Sequence, residues 1–468
     1  MVTIQDTELK EGISEAIDRA RRLAKPVLVS EVHKIGHIDP VDFFAAGSDQ
    51  YLGERFFWKD PSGQALIIGL GICKQIQSDQ AADRFLHTEK EWKRFIEDSV
   101  IFNPYPQPGL GPVMFGGFSF DPLKQKTPLW SKFSDSLFHL PKYMLSIIDG
   151  QSYLTTNVVC TQHDDASLAE KVAEKRQEIL SSAAKGASYQ TAKLLHKEEI
   201  DPGAWKNTVS NVVDDLQEGS LKKVVLAREL RLYFKDAVQV EMVLSRLLKE
   251  QRESFIFAFE SNGDCFIGAS PERLVKKAAN QVKSTCLAGS IARGKTPEED
   301  KLLGETLLTD QKNLIEHQYV VDMIKEAMAD ACEQVDMPSE PQLLKMRDIQ
   351  HLYTPVTGKL LKNKTLLSMV KRLHPTPALG GSPKCEAMAK IREVEAMDRG
   401  FYAAPLGWMD YHDNGEFAVS IRSGLIQGGE ASLFAGCGIV ADSDSESEYM
   451  ETGIKFRPML TALGGRME

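Results

Sequence analysis

The sequence predicts an α+β fold built from layers of strands and helices. Long strand patterns mix with helices but lack the regular strand–helix–strand alternation of a Rossmann sheet. Two strong hairpin signals, SFIFAFE-SNGD-CFIGAS and FAVSIRSGLI-QGGE-ASLFAGCGIV, place Asn262-Gly263 and Gly428-Gly429 at their turns. The 468 residues are 42% hydrophobic and 26% charged, a composition that supplies a large core.

Residues 1–195 are predicted to form mostly strands. Short apolar runs such as PVLVSEV, QALIIGLGI and YMLSIID alternate with turn-forming segments such as NPYPQPGLGP. Two helices interrupt them, one at the start of the chain and one at about Gln80 to Asp98. Ser167 to Lys197 is charged and Ala-rich, which predicts an exposed helix followed by a connector. This connector is the candidate boundary between an N-terminal half, 1–195, and a second region, 196–468.

The second region contains a strong helix pattern from about Asp310 to Gln334. Its apolar residues form two rows at helical spacing: Leu314, Val321, Ile324, Met328 and Ala331, and then Val320, Met323 and Ala327. Glu316 lies one turn before Val320, so its side chain is predicted to face the interior. It is either a solvated carboxylate near the start of the helix or a buried carboxylate with a divalent cation as its partner.

Charge and composition exclude several classes of partner. The 56 basic and 66 acidic residues give a net charge of −10, so we expect neither nucleic acid nor an anionic membrane as a partner. The longest apolar run, ALIIGLGIC at 65–73, is far shorter than the ~20 residues of a membrane-spanning helix. The charged N-terminus lacks a secretory signal and the seven cysteines form no C-x-x-C pair, which predicts a reduced, cytoplasmic protein.

The C-terminal run SDSESEYMETGIK places Glu448, Glu451 and Lys455 on one face of a helix. Ser445, three residues before Glu448, fits a capping box, and Pro458 predicts a break or kink beyond Lys455. The charged stripe is either a solvated face or part of a site. The second alternative gains support from the preceding Gly436-Cys437-Gly438, whose backbone N–H groups are open to an anion.

Three further charged residues are candidates on position alone. Strand alternation in FAVSIRS points Arg422 over small neighbours toward a cleft, where it forms a surface salt bridge or captures a substrate carboxylate. Lys223 leads the strand KVVLARE and Glu272 follows a strand end in GASPERL; each is surface charge or part of a site. The sequence contains no G-x-S-x-G elbow, H-E-x-x-H motif or Walker A loop.

Eight segments occur in the order found in the chorismate-utilising enzymes, which resemble the large subunit of anthranilate synthase. They are KVVLARE, FIGASPERL, LAGSIARG, IEHQYVV, HLYTPVTG, HPTPALGG, FAVSIRS and AGCGIVADSDSESEYMET. Within that family the chain looks most similar to isochorismate synthases of menaquinone formation. The resemblance implies an anthranilate synthase component I-like fold, with large layered antiparallel sheets in a single large domain and a chorismate-binding catalytic region at 196–468.

The resemblance also implies a Mg²⁺-dependent, reversible isomerisation of chorismate, in which water adds at C2 of the ring and the C4 hydroxyl departs. Lys223 matches the base that activates water, and Glu272 matches the acid that protonates the leaving hydroxyl. Such a lysine needs a lowered pKa and such a glutamic acid a raised one. Glu316 and Glu451, with Glu448 nearby, match the Mg²⁺ ligands. The substrate-binding positions are matched by His351, Ala378, Tyr402, Arg422, Gly436 and Lys455.

The alternatives within the family differ at few positions. Aminodeoxychorismate synthases carry a P-I-K-G-T motif where this chain has CLAGS, Cys286 to Ser290, so amination is disfavoured. Salicylate synthases share the Lys and Glu pair but typically carry threonine where this chain has Ala378, which favours release of isochorismate. A siderophore pathway and a non-catalytic relative stay open as alternatives. We expect a monomer or weak homodimer.

Overall fold

The computed structural model describes residues 7–80, 83–347 and 349–465. Its helices are α1 (Thr7–Leu23), α2 (Pro40–Ala45), α3 (Arg84–Ile96), α4 (Ser167–Ala183), α5 (Pro202–Glu218), α6 (Val240–Glu250), α7 (Pro297–Thr309), α8 (Gln311–Ala329), α9 (Leu366–Leu373), α10 (Lys384–Val394) and α11 (Ser445–Ala462). A single 3₁₀ turn covers Pro128–Trp130.

The strands of the N-terminal half are β1 (Val27–Ile35), β2 (Arg55–Lys59), β3 (Ala65–Ser78), β4 (Val100–Phe102), β5 (Val113–Phe118), β6 (Ser136–Ile148), β7 (Gln151–Cys160) and β8 (Leu194–Glu199). Those that follow are β9 (Lys223–Phe234), β10 (Phe255–Ser261), β11 (Asp264–Ser270), β12 (Arg273–Ala278), β13 (Gln281–Ala292), β14 (Cys332–Asp336), β15 (Gln342–Lys345), β16 (Ile349–Leu360), β17 (Gly381–Ser382), β18 (Pro405–Asp410), β19 (Gly415–Val419), β20 (Ser423–Gln427) and β21 (Glu430–Ile439).

The strands form two layers that share β6. One layer runs β4-β1-β7-β6-β3-β2-β10-β11-β20-β21-β9 and the other runs β5-β18-β19-β12-β13-β16. Strand β6 pairs with β5 at its start and with β7 at its end, so it joins the layers. Among the described strands, only the β1–β4 pairing is parallel. The predicted α+β architecture of layered antiparallel sheets is confirmed.

Aromatic side chains fill the space between the layers. Phe56 of β2 stacks on Phe115 of β5 with ring centroids 4.5 Å apart, and Phe259 of β10 meets Phe115 edge-on at 5.5 Å. Phe138 of β6 packs against Phe417 of β19. Each of these rings is at most 1% exposed, and fully buried aromatic pairs of this kind dominate core energetics.

The two halves of the chain form one body because they share strands in both layers. Strand β2 of the N-terminal half pairs with β10, and β5 pairs with β18. The buried Arg55 adds ion pairs to Glu241 at 2.7 Å and Glu260 at 2.6 Å. The expected single domain is therefore confirmed. The division at 195/196 falls inside β8, which pairs with β9, and stays a prediction.

Most predicted elements agree with the structure, and the differences have local causes. The hairpin turn at Asn262-Gly263 forms with both residues at positive φ, 50° and 88°, as a two-residue turn requires. The first helix, α1, forms as predicted, and the second covers 84–96, with Ala81 and Ala82 outside the described residues. The predicted end of the Asp310–Gln334 helix was wrong. Helix α8 stops at Ala329 because the chain from Cys332 onward forms β14 and pairs with β16.

Two expectations for the last helix were also wrong. Asp444, rather than Ser445, caps α11, since its carboxylate accepts the backbone N–H of Ser447. Pro458 does not interrupt the helix, which continues to Ala462. None of the helices in the described parts of the chain combines the length and the apolar character needed to cross a bilayer.

Candidate active site

A cavity of about 640 Å³ opens where β9, β21, α8 and α11 meet. All the residues that the sequence predicted for the site line it: Lys223, Glu272, Glu316, His351, Ala378, Tyr402, Arg422, Gly436, Glu448, Glu451 and Lys455. They come from nine separate helices, strands and loops of the chain. The structure thus brings the whole predicted set together, and the role of each residue stays a prediction.

Lys223 begins β9 and is held in one position. Its side chain is 2% exposed, and Nζ donates a hydrogen bond to Oε1 of Glu316 at 2.6 Å. Strand β21 runs beside it and places Gly438 against the lysine. A Cβ atom on Gly438 would lie 2.6 Å from Cε and 3.1 Å from Nζ of Lys223, so only glycine leaves room for this side chain.

Glu272 follows β11 after the turn at Pro271, and the N–H of Val419 fixes its backbone carbonyl at 3.0 Å. The side chain is buried, and this burial raises the pKa of the carboxyl to about 8 against the opposing charges of Arg422 and Lys223. Glu272 therefore carries a proton at neutral pH, as a general acid must.

Glu316, on the first turns of α8, is a carboxylate. Burial favours its neutral form, but the charge and hydrogen bond of Lys223 and the charge of Lys455 together hold the pKa of Glu316 below its usual value. The sequence-based expectation that Glu316 faces inward is correct: the residue lines the cavity and contacts Lys223. Its ionised state suits either an ion pair or a cation ligand.

Helix α11 presents Glu448, Glu451 and Lys455 to the same cavity. Lys455 Nζ contacts Oε1 of Glu451 at 2.6 Å and donates to the carbonyl of Gly436 at 2.9 Å. Ser443 Oγ donates to Oε1 of Glu448 at 2.7 Å. Burial, together with the charge of Glu451, still raises the pKa of Glu448 above its usual value. Glu448 and Glu451, which lie one helical turn apart in a partly buried position, therefore repel each other.

Arg422, Tyr402 and His351 line the remaining wall. The strand β19 ends at Val419, and Arg422 adopts a positive φ of 53° between strands. The alternation argument that pointed Arg422 into the cleft was therefore wrong, although the residue does reach the cavity. Tyr402 lies beside Gly436, where an added Cβ would approach the hydroxyl to 3.3 Å.

His351 is a buried neutral imidazole. Burial, with the charges of Arg422 and Lys455, lowers the pKa of the ring to about 3. In the described part of the chain its Nε2 atom has no hydrogen-bond partner. An unpaired buried polar atom costs stability, so its position on the cavity wall marks a place where a bound molecule can supply the missing partner.

Comparisons with known proteins show which family the chain belongs to. A family model described as chorismate binding enzyme matches residues 15–464. The chain belongs to the chorismate-binding enzyme family. Isochorismate synthase MenF of Bacillus subtilis is 43% identical to this chorismate-binding enzyme over 472 residues, with 99% of each chain covered. The salicylate biosynthesis isochorismate synthase of Pseudomonas aeruginosa is 35% identical over 463 residues, covering 98% of this chain and 95% of the relative.

A solved structure gives the same result for the fold. The menaquinone-specific isochorismate synthase MenF of Escherichia coli is similar with a TM-score of 0.77 and 25% identity, covering 98% of this chain and 100% of that one. The resemblance predicted from eight ordered segments is confirmed, and so is the anthranilate synthase component I-like fold.

Chorismate-binding enzymes need a divalent metal. The described residues contain no preformed group of three or more His, Cys, Asp or Glu ligands. The donor set still fits such an ion in kind, because Glu316, Glu448 and Glu451 line one cavity with hard carboxylate oxygens. A cation there would also relieve the repulsion between Glu448 and Glu451.

Sequence reasoning missed several supporting residues of this chorismate-binding enzyme. Arg399 lines the cavity and donates to the carbonyls of Leu379 at 3.0 Å and Val225 at 2.7 Å. His317 contacts the Ala288 carbonyl at 3.1 Å and Thr354 Oγ1 at 2.8 Å, which fixes α8 against β13 and β16. His317 could have been predicted from the sequence, since it follows Glu316 in IEHQYVV. No sequence pattern indicated Arg399.

Proposed function

We propose that this protein is an isochorismate synthase that converts chorismate reversibly to isochorismate. Water adds at C2 of the ring, the C4 hydroxyl leaves as water, and the ring double bonds shift between them. The observation that carries the proposal is the pairing of a buried lysine with a buried, protonated glutamic acid, Lys223 and Glu272, on one cavity. The 43% sequence identity to the Bacillus subtilis isochorismate synthase, over 99% of each chain, supports the proposal.

Lys223 takes the role of base. In the forward direction Nζ accepts a proton from the water that attacks C2. Both the ammonium and the neutral amine can donate the hydrogen bond to Glu316, so this contact orients Nζ before and after the transfer. Gly438 on the neighbouring strand leaves the room that this position of Nζ needs.

Glu272 takes the role of acid. It begins protonated at neutral pH and donates that proton to the departing C4 hydroxyl, which then leaves as water. In the reverse direction the two groups exchange roles, as microscopic reversibility requires. One group that accepts a proton and one that donates a proton, on the same cavity, are the pair that acid–base catalysis needs.

The remaining residues bind and orient the substrate, which is a dianion. Arg422, Lys455, Tyr402 and the backbone at Gly436 receive the enolpyruvyl carboxylate, and His351 lies near the departing hydroxyl. Ala378 leaves space beside the ring. Glu316 and Glu451, with Glu448 directly or through water, would hold Mg²⁺. When bound, the ion neutralises and orients the ring carboxylate.

A product assay tests this function. The purified protein is incubated with chorismate and Mg²⁺, and the products are separated by chromatography. Isochorismate is expected. Salicylate with pyruvate would instead establish a salicylate synthase. Turnover should be lost in Lys223→Ala but kept in Lys235→Ala, which changes an exposed lysine just past β9 that does not line the cavity. Retained turnover in Lys223→Ala would remove Lys223 from the base role. Absence of any product would overturn the proposal.

The finer assignments are proposed with the function. The solved Escherichia coli relative is named as menaquinone-specific, which supports menaquinone formation over a siderophore pathway. Deletion of the gene is then expected to deplete menaquinone and leave siderophore output intact. We also propose a cytoplasmic location and a monomer or weak homodimer, which sedimentation velocity can check.

A further inference from the structure

A second cavity of about 580 Å³ lies beside the active-site cavity. Both are lined by β9: Lys223 and Val225 line the first, and Ala227, Glu229 and Arg231 line the second. Leu226 and Arg228, on the opposite face of the strand, also line the second cavity, so the two cavities are neighbours along β9 and do not share one face of the sheet. The volume falls in the range of small-molecule sites.

A buried ion pair joins the two cavities. Glu395 lines the second cavity and Arg399 lines the first, and the two side chains are 4% and 3% exposed. Glu395 accepts two hydrogen bonds from Arg399, at 2.5 and 2.8 Å, and one from the N–H of Ala227 at 2.7 Å. Arg399 in turn holds the carbonyls of Val225 and Leu379, which line the active-site cavity.

The lining of the second cavity combines aromatic and aliphatic surface with negative charge. Its apolar wall comes from Trp205, Leu129 and Met397, among others. Its charged residues are five acids and two arginines: Asp201, Glu229, Glu395, Asp398, Glu430, Arg228 and Arg231. Both arginines already pair with glutamates, Arg228 with Glu199 and Arg231 with Glu229.

Asp398 is the acid that points to a ligand. The residue is buried, and its carboxylate accepts only the backbone N–H groups of Thr127 at 3.2 Å and Gly400 at 2.9 Å. No basic side chain among the described residues forms an ion pair with it. A buried carboxylate without a cationic partner is costly, and a positively charged ligand removes that cost.

We propose that the second cavity binds a small ring-bearing molecule with one positively charged nitrogen, and that its occupancy reaches the active site through Glu395 and Arg399. The ring packs on Trp205, and the charged nitrogen lies between Asp398 and Glu395. There it competes with Arg399 for the Glu395 carboxylate. Weakened contacts from Arg399 then loosen Val225 and Leu379 on the active-site side.

Benzylamine is the probe for binding, and benzoate, of the same size and opposite charge, is its control. Saturable quenching of Trp205 fluorescence by benzylamine, absent in Trp205→Phe, is expected in the full-length protein. Asp398→Asn should weaken benzylamine binding at least about tenfold. Ala204→Trp places a large side chain from α5 at the exposed rim of the second cavity. It should abolish benzylamine binding and leave turnover unchanged, so it tests the site even if Asp398→Asn folds poorly. Equal binding of benzoate, or unchanged binding in both variants, would overturn the proposal.

The coupling is tested by kinetics and rests on the proposed function. Saturating benzylamine should raise KM for chorismate about threefold or more in the wild-type enzyme and leave KM unchanged in Ala204→Trp. Binding that leaves KM unaltered would overturn the coupling. The fluorescence titration does not depend on turnover, so a failure of the proposed reaction and a failure of the second site give different results.

Discussion

At the scale of single residues, the decisive property is the opposite charge state of neighbouring groups in the cavity. Glu272 is protonated because it is buried, whereas Glu316 is ionised because Lys223 contacts it. The identities of these residues could be predicted from the ordered segments. The resemblance also implied a raised pKa for Glu272, but the causes of these charge states could not be predicted, because a pKa depends on burial and on charges contributed by distant parts of the chain.

Glu272→Gln separates activity from stability. The variant keeps the size of the side chain but cannot release a proton, so kcat should fall by about 10²–10⁴-fold. A carboxyl whose pKa is about 8 in the folded state stabilises the fold below the pKa of the unfolded chain, and this contribution is lost as pH rises to about 8. The melting temperature of the variant relative to wild type should therefore rise between pH 5 and pH 8.

The wild-type rate should also fall as pH increases through about 8, since the acid is then ionised. The measurements are a pH–rate profile of the wild type and of the variant, and melting curves of both proteins at pH 5 and pH 8. An active Glu272→Gln variant with a wild-type pH profile would show that another group supplies the proton.

Glu451→Gln tests the carboxylates assigned to the metal. Removing one charged oxygen ligand should raise the Mg²⁺ concentration for half-maximal activity by about tenfold or more, since even outer-shell changes cost ~10–100-fold in metal affinity. Glu446→Gln is the matched control on the same helix, because Glu446 pairs with Lys206 and does not line the cavity. Equal Mg²⁺ dependence in the two variants would assign the metal to other residues.

At the scale of elements, the site depends on the register between β9 and β21. Val225 lies opposite Gly438 and Ala227 opposite Gly436, which sets both glycines against functional side chains. Sequence patterns predicted the hairpin that contains β21 but not its pairing with β9, which lies about 200 residues earlier in the chain. The same limit explains α8: its apolar rows continue past Ala329, and only the partner strand β16 ends the helix.

Gly438→Ala tests that register. The added methyl group would overlap Cε of Lys223 and push Nζ away from Glu316. A shift of about 1 Å in a catalytic group can cost ~10²-fold, so kcat should fall by that order while the fold persists. Gly429→Ala on the same hairpin is the control, because its Cβ would meet the nearest atom at an ordinary 3.5 Å. Comparable kcat in the two variants would show that Lys223 has freedom to move.

At the scale of the whole molecule, buried ion pairs connect the two halves. Arg55→Leu leaves Glu241 and Glu260 without their cation, which should cost about 3–5 kcal/mol of unfolding free energy. Hydrogen exchange should then accelerate in both β3 and β21, because the halves share their sheets. Arg21→Leu, which breaks an exposed pair with Asp18 and an exposed hydrogen bond of 3.5 Å to the Gln162 carbonyl, should cost at most ~1 kcal/mol. Faster exchange confined to the N-terminal half would instead indicate two independent units.

The sharing of strands between the halves also has a consequence for synthesis on the ribosome. Strand β2 pairs with β3 on one edge, but its other edge lacks a partner until residues 255–261 have been made. Strand β5 pairs with β6, but its other edge lacks a partner until residues 405–410 have been made. At ~5–20 residues per second, the edge of β5 waits for roughly 15–60 s. Nascent chains expose apolar sheet edges throughout that interval, when pairing between neighbouring chains is a hazard. Yield in an expression host should therefore respond to chaperone supply and to growth temperature more strongly than the stability of the finished protein suggests.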